Sequence, residues 1–493
     1  MKLFAEPTSF EWFIFFGLLF GILILLLVAE KLRKVYINSP EITRKLVHIG
    51  VGLIIFYSPK IFTSGIPPIL LCAIFIVINT YALLKGKLKG IHGTQRFTFG
   101  TVYYPIAVII LLYSFWDNSP FIISTSILVL AFSDSMAAIV GENIKNPKYY
   151  FLSGEKKSYQ GSITLFLVTT IIVFISLYST QLQYSNEEII MISTISGLIA
   201  TLLEGVSIKG FDNLTLPLGV AFILHYFLNR VDYSNLYLGI ILASVISILS
   251  YKLKLLSKNG AVATYLMAFT IFSVGGWKTT TPILIFFILS SILSKIGKNK
   301  KGSANSISEK SEIRDLEQVI SNGGVATLVI IYIYFTKNIE TNYLFYLSTL
   351  AAVTADTWGT EIGLFSKKKP RLITNFKTSE TGTSGAISTL GIIGGIFGAA
   401  IIALTGSYFH IISLNQFYGI ILAGIFGSLV DSYFGATIQA EYKCNICEKI
   451  TERKYHCQNQ TKLIRGFAFI NNDFINIICA ISGLLFSLIY YSL

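Results

Sequence analysis

Two stretches of this chain place an acid among small residues at the end of an apolar segment, followed by a Lys-rich loop and a Gly-Ser or Gly-Thr turn. Asp134 opens the first stretch and Ser162 closes it; Asp356 opens the second and Ser384 closes it. Magnesium favours one or two carboxylates together with phosphate oxygens and water. In phosphoryl transfer, proteins mainly position reactants and neutralise charge with metal, Lys and backbone N–H groups. The repeated pattern therefore predicts two sites that hold a phosphate and its metal ion.

Each stretch supplies groups that could contact phosphate, since a Gly-Ser turn that opens a helix offers free N–H groups to an anion. In the first stretch these groups are Lys156, Lys157, Ser158, Gly161 and Ser162. In the second they are Lys377, Gly382, Thr383 and Ser384. Either Lys156 or Lys157 should touch phosphate. Asp356 and Glu361 are five residues apart and share a helix face only loosely, so one is expected to be a ligand and the other a support.

Further polar residues near the same ends of apolar runs complete the predicted sites. Asp134, Asp356 and Asp431 are the expected Mg²⁺ ligands, and these three with Glu361 are the expected catalytic residues. The other expected contacts of substrate or nucleotide are Arg44, His48, Arg96, Glu204, Asp212, Asn213, Asn322, Asn472, Asp473 and Asn476. The alternative for the acids is a helix cap or a pair with Lys at headgroup level, and for Asn a contact between helices.

Three of the five cysteines fall in one polar segment. Cys444 and Cys447 have the CxxC spacing of zinc ligands, and His456 and Cys457 follow. The segment predicts either a structural zinc site or a reduced thiol cluster without metal. A catalytic zinc is not expected, because no ligand set with an open position is visible.

The composition predicts an integral membrane protein. Of 493 residues, 53% are hydrophobic and only 13% are charged. Apolar runs of roughly 17–22 residues recur along the chain, and we count about sixteen, each long enough to cross a bilayer as a helix. The expected fold class is therefore an all-α polytopic membrane protein built from two related helical bundles.

The formal net charge of +13 is concentrated in alternate loops between the apolar runs. Counting helices by this alternation places every basic loop on one side, which the positive-inside bias makes cytoplasmic. Most of the positive charge is thus a topology signal, and nucleic-acid binding is not expected. The predicted sites lie near the cytoplasmic ends of their helices, where a nucleotide can enter from the cytosol and a lipid from the side.

A short polar break near residue 257 predicts two domains, 1–256 and 257–493. Residues 297–314 are rich in Lys, Ser and Asn without apolar periodicity, which predicts a flexible cytoplasmic loop. Residues 440–466 form the predicted cytoplasmic loop that carries the cysteines. The two domains present their polar residues in the same order.

The first domain resembles the phytol kinase and dolichol kinase family of polytopic membrane enzymes. The matching residues are 44–48, Arg96 with 100–105, Asp134 with Gly141, 157–162, and Glu204 with Asp212, Asn213 and Pro217. The Lys-Ser-x-x-Gly-Ser element is also similar to one in CTP:phosphatidate cytidylyltransferases, which implies CTP as the nucleotide.

The second domain resembles the integral membrane family that includes phytyl-phosphate kinase. The matching residues are 259–261, Gln318 with 322–324, 355–358 with 361–363, 382–385, Asp431 with Gly435 and Gln439, and Asn472, Asp473 and Asn476. The cysteine-bearing segment is not a recognisable signature of this family.

Together the resemblances imply two consecutive reactions. The first domain would phosphorylate a long-chain isoprenoid alcohol, such as phytol or geranylgeraniol, with CTP or another nucleoside triphosphate and Mg²⁺. The second would convert the monophosphate to the diphosphate, a substrate for prenyltransferases. Two alternatives remain open at this point: a CTP-dependent lipid nucleotidyltransferase, which would make a CMP adduct, and a transporter with repeated halves. The position of the acids near one membrane face weighs against the transporter.

Overall fold

The structure is a computed structural model that describes residues 2–35, 40–87, 98–180, 184–229, 232–296, 313–409 and 412–492. It confirms an all-α fold in which β-structure is limited to short strands in the connections between helices. The chain divides into two compact units, Met1–Asp232 and Tyr233–Leu493. The predicted functional division after residue 256 stays a prediction.

The first unit begins with three long helices and ends with a group of helices around the first predicted site. Its helices are α1 (Ser9–Val35), α2 (Pro40–Ile61), α3 (Ile66–Leu84), α4 (Gly100–Phe115), α5 (Pro120–Leu128), α6 (Asp134–Asn143), α7 (Tyr159–Tyr178), α8 (Asn186–Val206) and α9 (Asp212–Asn229). A π-helical turn, Val129–Ser133, joins α5 to α6 without a break. Strands β1 (Tyr149–Phe151) and β2 (Lys156–Ser158) form an antiparallel hairpin before α7.

The second unit has seven described helices, with a hairpin after the fourth and a larger connection before the last. Its helices are α10 (Ser234–Lys252), α11 (Lys258–Ile296), α12 (Leu316–Thr336), α13 (Ile339–Gly363), α14 (Thr389–Phe409), α15 (Leu414–Thr437) and α16 (Asn472–Ser492). Strands β3 (Arg371–Leu372) and β4 (Ala386–Ile387) pair before α14. The remaining strands are β5 (Glu441–Lys443), β6 (Ile450–Thr451), β7 (Tyr455–His456), β8 (Asn459–Gln460) and β9 (Lys462–Arg465).

Eleven helices of the described residues are long and apolar enough to cross a membrane. The number is below the roughly sixteen apolar runs of the sequence because some of those runs form helices that are too short or too polar, such as the 16-residue α4. In addition, α11 counts once although it consists of two helical segments that are joined at a kink at Gly276. The backbone there has φ 59° and ψ −144°, which an L side chain rarely adopts.

Small residues bring α13 and α14 into close contact. A Cβ atom added at Gly395 would lie 3.0 Å from the Ala355 carbonyl oxygen, and one at Gly398 would lie 3.0 Å from the Thr354 carbonyl oxygen. Glycine at such positions lets two membrane helices approach until their backbones touch. The close approach fixes Asp356, which follows Ala355 on α13, beside the start of α14.

We expect Gly395→Val to lower the stability of the second unit, because the added side chain would have to push α14 away from the backbone of α13. Overpacking of this kind costs about 1–3 kcal/mol. The measurement is the thermal unfolding midpoint of the purified protein in detergent.

The matched control is Gly17→Val on α1, where an added Cβ meets nothing within 4 Å. Equal midpoints for the two variants would contradict the proposed helix contact.

Candidate functional sites

The first site is built around Asp134, whose carboxylate is paired with a lysine that lies 89 residues earlier in the sequence. Lys45 Nζ donates to Asp134 Oδ2 at 2.5 Å, and His48 Nε2 lies 3.8 Å from the same oxygen. Lys45 is 3% exposed. Since a charge in an apolar helix is costly unless it is paired, this contact is what allows an ionised carboxylate at this depth. Lys45 and His48 are three residues apart and share one face of α2.

The π-helical turn sets the position of Asp134. The turn ends at Ser133, directly before the acid, and its Leu130 carbonyl oxygen lies 3.1 Å from His48 Nε2. A π-helical turn leaves a carbonyl without its usual α-helical partner, and such turns are frequent at functional sites. Here the π-helical turn provides an acceptor that orients the His48 ring, which also packs edge-to-face on Tyr104 with ring centroids 4.7 Å apart.

A second buried pair lies at the start of α7. Lys157 Nζ donates to Glu204 Oε1 at 2.6 Å and also to the Glu204 backbone carbonyl. Burial opposes the charge of Lys157, but the charges of Glu204 and Asp212 and the hydrogen bond to Glu204 together outweigh it, so the pKa of Lys157 is raised above its ordinary value. Lys157 is thus a fixed cation. The neighbouring Lys156 is exposed and lies 3.5 Å above the ring of Tyr149.

The two pairs belong to one electrostatic cluster. The charges of Asp134 and Asp212 both repel the Glu204 carboxylate. The positive charges of Arg44, Lys45 and Lys157 attract the Asp212 carboxylate. The structure thus brings the predicted residues Arg44, His48, Asp134, Lys157, Glu204 and Asp212 together. Asn213 is buried and donates to Asp212 Oδ1 at 3.2 Å. Arg96 lies outside the described residues.

An apolar cavity leads to this cluster from the side of α1 and α3. Its volume is about 90 Å³. The wall is formed by Ile22, Leu26, Val47, Val51, Ile55, Leu71, Cys72, Phe75 and Pro105, and the polar end by Arg44, His48, Asn79, Thr101, Tyr104 and Asn213. The cavity is apolar along its wall and basic at one end, and its volume suits the hydroxyl end and first few carbon atoms of an amphiphile.

The turn predicted to bind phosphate has a structural role in addition. Ser158 Oγ caps α7 by accepting from Gly161 N at 3.1 Å. A Cβ atom on Gly161 would lie 3.0 Å from the Ala137 carbonyl oxygen, so glycine is required where α7 meets α6. Ser162 Oγ lies 2.7 Å from the Tyr150 hydroxyl. The N–H of Gly161 therefore already has an acceptor.

The second site is a cavity of about 360 Å³ in the second unit. The predicted residues that line it are Asn322, Asp356, Glu361, Gly382, Thr383, Ser384, Asp431, Asn472 and Asn476. Lys377 is exposed in the connection between β3 and β4, and Asp473 adjoins the wall through Asn472. Most of the residues predicted for this site thus converge on one volume, although they come from four helices and a loop.

Sequence reasoning missed several residues of this cavity. Arg314, expected in a flexible loop, is ordered: its backbone bonds to Leu255 and Ser257, and its charge acts on Glu361. Ser294 Oγ donates to Glu361 Oε1 at 2.5 Å. Among the described lining residues Arg314 is the one cation, whereas Asp356, Glu361, Asp431 and Glu452 are four carboxylates. The signal for Arg314 was weak, because a single Arg at the end of a Lys-rich segment does not stand out.

The same local arrangement occurs in both units. Asp134 and Gly141 are seven residues apart, as are Asp356 and Gly363. A Cβ on Gly141 would lie 3.6 Å from Gly161 Cα, and a Cβ on Gly363 would lie 3.5 Å from Gly391 Cα. In each unit the acid-bearing helix is followed by a short hairpin and then by a helix that a serine caps. Ser388 Oγ accepts a hydrogen bond from Gly391 N at 3.0 Å, just as Ser158 Oγ accepts one from Gly161 N.

This equivalence corrects one sequence-based match. Residues 382–384 were paired with the Gly161-Ser162 turn, but they precede β4 and lie in the loop between β3 and β4. The equivalents of Ser158 and Gly161 are Ser388 and Gly391, since these residues cap the helix and meet the preceding one. The Gly-Thr-Ser-Gly run drew attention because it is rich in turn residues, whereas Ser-x-x-Gly is inconspicuous.

The units differ in charge at equivalent positions. Taking Arg44 and His48 as equivalent to Gln318 and Asn322, the residue at the position of Lys45 is Val319. The residue at the position of Lys157 is Ile387, directly before the capping Ser388. The two lysines that pair with acids in the first unit are therefore absent from these positions in the second.

The predicted zinc ligands also come together. Single ligand atoms of Cys444, Cys447, His456 and Cys457 all lie within 4.8 Å of one another. His456 Nδ1 lies 3.4 Å from Cys447 Sγ and 3.2 Å from Cys457 Sγ.

Comparison with known proteins identifies relatives in membranes. Residues 241–484 match the family described as integral membrane protein DUF92. The chain is 30% identical over 268 residues to Protein PGR of Arabidopsis thaliana, covering 50% of this chain and 92% of that protein. It is 29% identical over 203 residues to the phytol kinase of Synechocystis, covering 40% of this chain and 84% of that protein.

A third relative is the chloroplastic farnesol kinase of Arabidopsis thaliana, 28% identical over 204 residues, which are 37% of this chain and 64% of that protein. No solved structure matches. The similarity to Protein PGR over nearly its whole length, with the match over residues 241–484, shows that this chain belongs to the DUF92 family of integral membrane proteins.

Proposed function

We propose that this chain is a membrane kinase for isoprenoid alcohols that also carries a second kinase site. The first unit phosphorylates a long-chain isoprenoid alcohol, and the second phosphorylates the resulting monophosphate to the diphosphate. Relatives named phytol kinase and farnesol kinase support the substrate class and the reaction. The observation that carries the proposal is that each unit places an acid at the same point of the same helix–hairpin–helix arrangement.

In the first unit, the apolar cavity would receive the hydroxyl end of the isoprenoid alcohol and place its hydroxyl near Arg44 and His48, while the rest of the chain stays in the membrane. Lys157, Lys45 and Arg44 would neutralise charge on the transferred phosphoryl group, which is the main task of a protein in this chemistry. Asp134 and Glu204 hold two of these cations in place. The apolar wall would keep water away from the hydroxyl end, so that the alcohol would be the favoured nucleophile.

In the second unit, the four carboxylates and single arginine of the cavity suit a divalent cation with phosphate groups. Asp356 and Asp431 would hold Mg²⁺, which would shield the charge of the two phosphates that must meet. Glu361 accepts a hydrogen bond from Ser294, and its charge attracts that of Arg314. Arg314 would contact the substrate phosphate. A phosphate nucleophile needs no deprotonation at neutral pH, so this site requires charge neutralisation more than a base.

The donor is proposed to be CTP or another nucleoside triphosphate with Mg²⁺, and the sites are proposed to face the cytoplasm. Keeping both sites on one chain would raise the effective concentration of the monophosphate at the second site. The test is mass spectrometry of products from purified protein in detergent, given phytol or geranylgeraniol, Mg²⁺ and CTP or ATP. Diphosphate supports the proposal; a CMP adduct, or no turnover with any nucleoside triphosphate, would overturn it.

We expect Asp134→Ala to abolish alcohol phosphorylation and to leave phosphorylation of added monophosphate intact, with Asp356→Ala having the reverse effect. Each acid lies in its own unit, so each change removes one site. The measurement is the product mass from each substrate supplied separately. If either single change removed both activities in a folded protein, the two-site proposal would be wrong.

Lys157→Ala should reduce alcohol phosphorylation by roughly 10²-fold or more, because it removes a fixed cation from the transition state. Lys156→Ala, which changes an exposed neighbour of the same type, should have a far smaller effect. Both rates are measured with the alcohol as substrate.

Loss of Lys157 also leaves Glu204 buried without its partner, which destabilises a protein. The double variant Lys157→Ala/Glu204→Gln removes both charges and separates the two effects. If the double variant regained both stability and activity, Lys157 would be structural and the assignment would fail.

A further inference from the structure

The connection before the last helix differs most between the two units. In the first unit five residues, 207–211, join α8 to α9. In the second unit 34 residues, 438–471, join α15 to α16 and contain β5 to β9. Both α15 and α16 line the second cavity, through Asp431 and Asn472. The additional segment is therefore inserted at the edge of the second site.

The insert holds a ligand set that fits zinc. Three thiols and one imidazole lie within 4.8 Å of one another. A tetrahedral zinc with Zn–S bonds of about 2.3 Å places its sulfur ligands about 3.8 Å apart, so small shifts would complete the site. The Ile446 N–H lies 3.4 Å from Cys444 Sγ, where it stabilises a thiolate. Cys72 and Cys479, in contrast, are buried in the apolar part of the chain.

The backbone of the insert is unfavourable without a cross-link. Cys457 and Gln458 form the two-residue turn between β7 and β8, with φ of 50° and 61°. Such a turn favours Asn-Gly, and each other residue in this conformation costs about 1–3 kcal/mol. Binding of one metal ion by His456 and Cys457 on one side and by Cys444 and Cys447 on the other would offset this cost.

The insert also contributes directly to the second cavity. Glu452 lies between Cys447 and His456 in the sequence and lines the cavity. Its Oε1 accepts from Ser384 Oγ at 2.5 Å and from Gln439 Nε2 at 2.9 Å. A metal ion that ties Cys447 to His456 closes the segment that carries Glu452.

We propose that Cys444, Cys447, His456 and Cys457 bind one structural zinc ion, and that this ion holds Glu452 and the Ser384 loop as a wall of the second cavity. Zinc is then required for the reaction of the second unit and not for that of the first. The assignment to a reaction rests on the proposed function; the binding of zinc and the ordering of the insert do not.

The experiment compares the whole protein with Cys447→Ser/Cys457→Ser, using Asn459→Ser, which changes an exposed residue of the same insert and no trypsin site, as the matched control. Zinc is measured by elemental analysis, and the insert is probed with trypsin, which cleaves after its Lys and Arg residues. We expect one zinc per chain in the wild type and the control. In the double variant we expect loss of zinc, rapid cleavage in residues 440–466, and at least about tenfold slower diphosphate formation with unchanged alcohol phosphorylation.

A further variant, Glu452→Gln, distinguishes the effect of zinc binding from the effect of the Glu452 side chain in the cavity. It should keep zinc and resist trypsin, yet slow diphosphate formation. Absence of zinc from the wild type, a disulfide among the three cysteines, or zinc loss without increased cleavage would overturn the proposal. If the wild type made no diphosphate, the proposed function would fail, while zinc content and cleavage would still decide the metal site. If zinc-free protein formed diphosphate at the full rate, the proposal that zinc holds Glu452 and the Ser384 loop in place for the reaction would be wrong.

Discussion

The need to neutralise charge inside apolar helices governs the arrangement of the first site. A charged side chain at membrane depth is costly unless it meets a partner or water. Lys45 on α2 pairs with Asp134 on α6, and Lys157 on β2 pairs with Glu204 on α8, so that elements distant in sequence meet this need. Each pair fixes the distance between two elements, so the same contacts that hold these elements together also hold Lys45 and Lys157 in place.

The second unit uses the same arrangement of helix, hairpin and capped helix with a different charge balance. Val319 and Ile387 stand where the first unit has its two lysines, and the cavity has four carboxylates for one arginine among its described lining residues. On the proposed function, the second site would need a cation from solution to accept a phosphate, whereas the first site has lysines of its own beside its acids. One architecture would then serve a neutral hydroxyl in one unit and an anionic phosphate in the other.

The sequence was informative where a residue type is rare in its surroundings. Asp134, Asp356 and Asp431 stand out in apolar segments, and CxxC followed by His-Cys stands out in a polar one. Lys45 and Arg314 did not stand out, because basic residues are common beside membrane helices and only the fold reveals which one turns inward. The Ser388 cap was missed for a related reason: close helix contact requires a small residue but gives no motif. The acids themselves could be picked out from the sequence, whereas their partners could not.

The π-helical turn before Asp134 has a consequence for how the two units correspond. Such a turn holds one more residue than an α-helical turn, and one residue rotates the following helix by about 100°. In the second unit, α13 is α-helical throughout from Ile339 to Gly363. Residues before and after the acid therefore cannot be matched between the units in a single ungapped register. An alignment of the two halves needs a one-residue gap in the second half, opposite Val129–Ser133. Without this gap, residues on different faces of the two helices would be compared with one another.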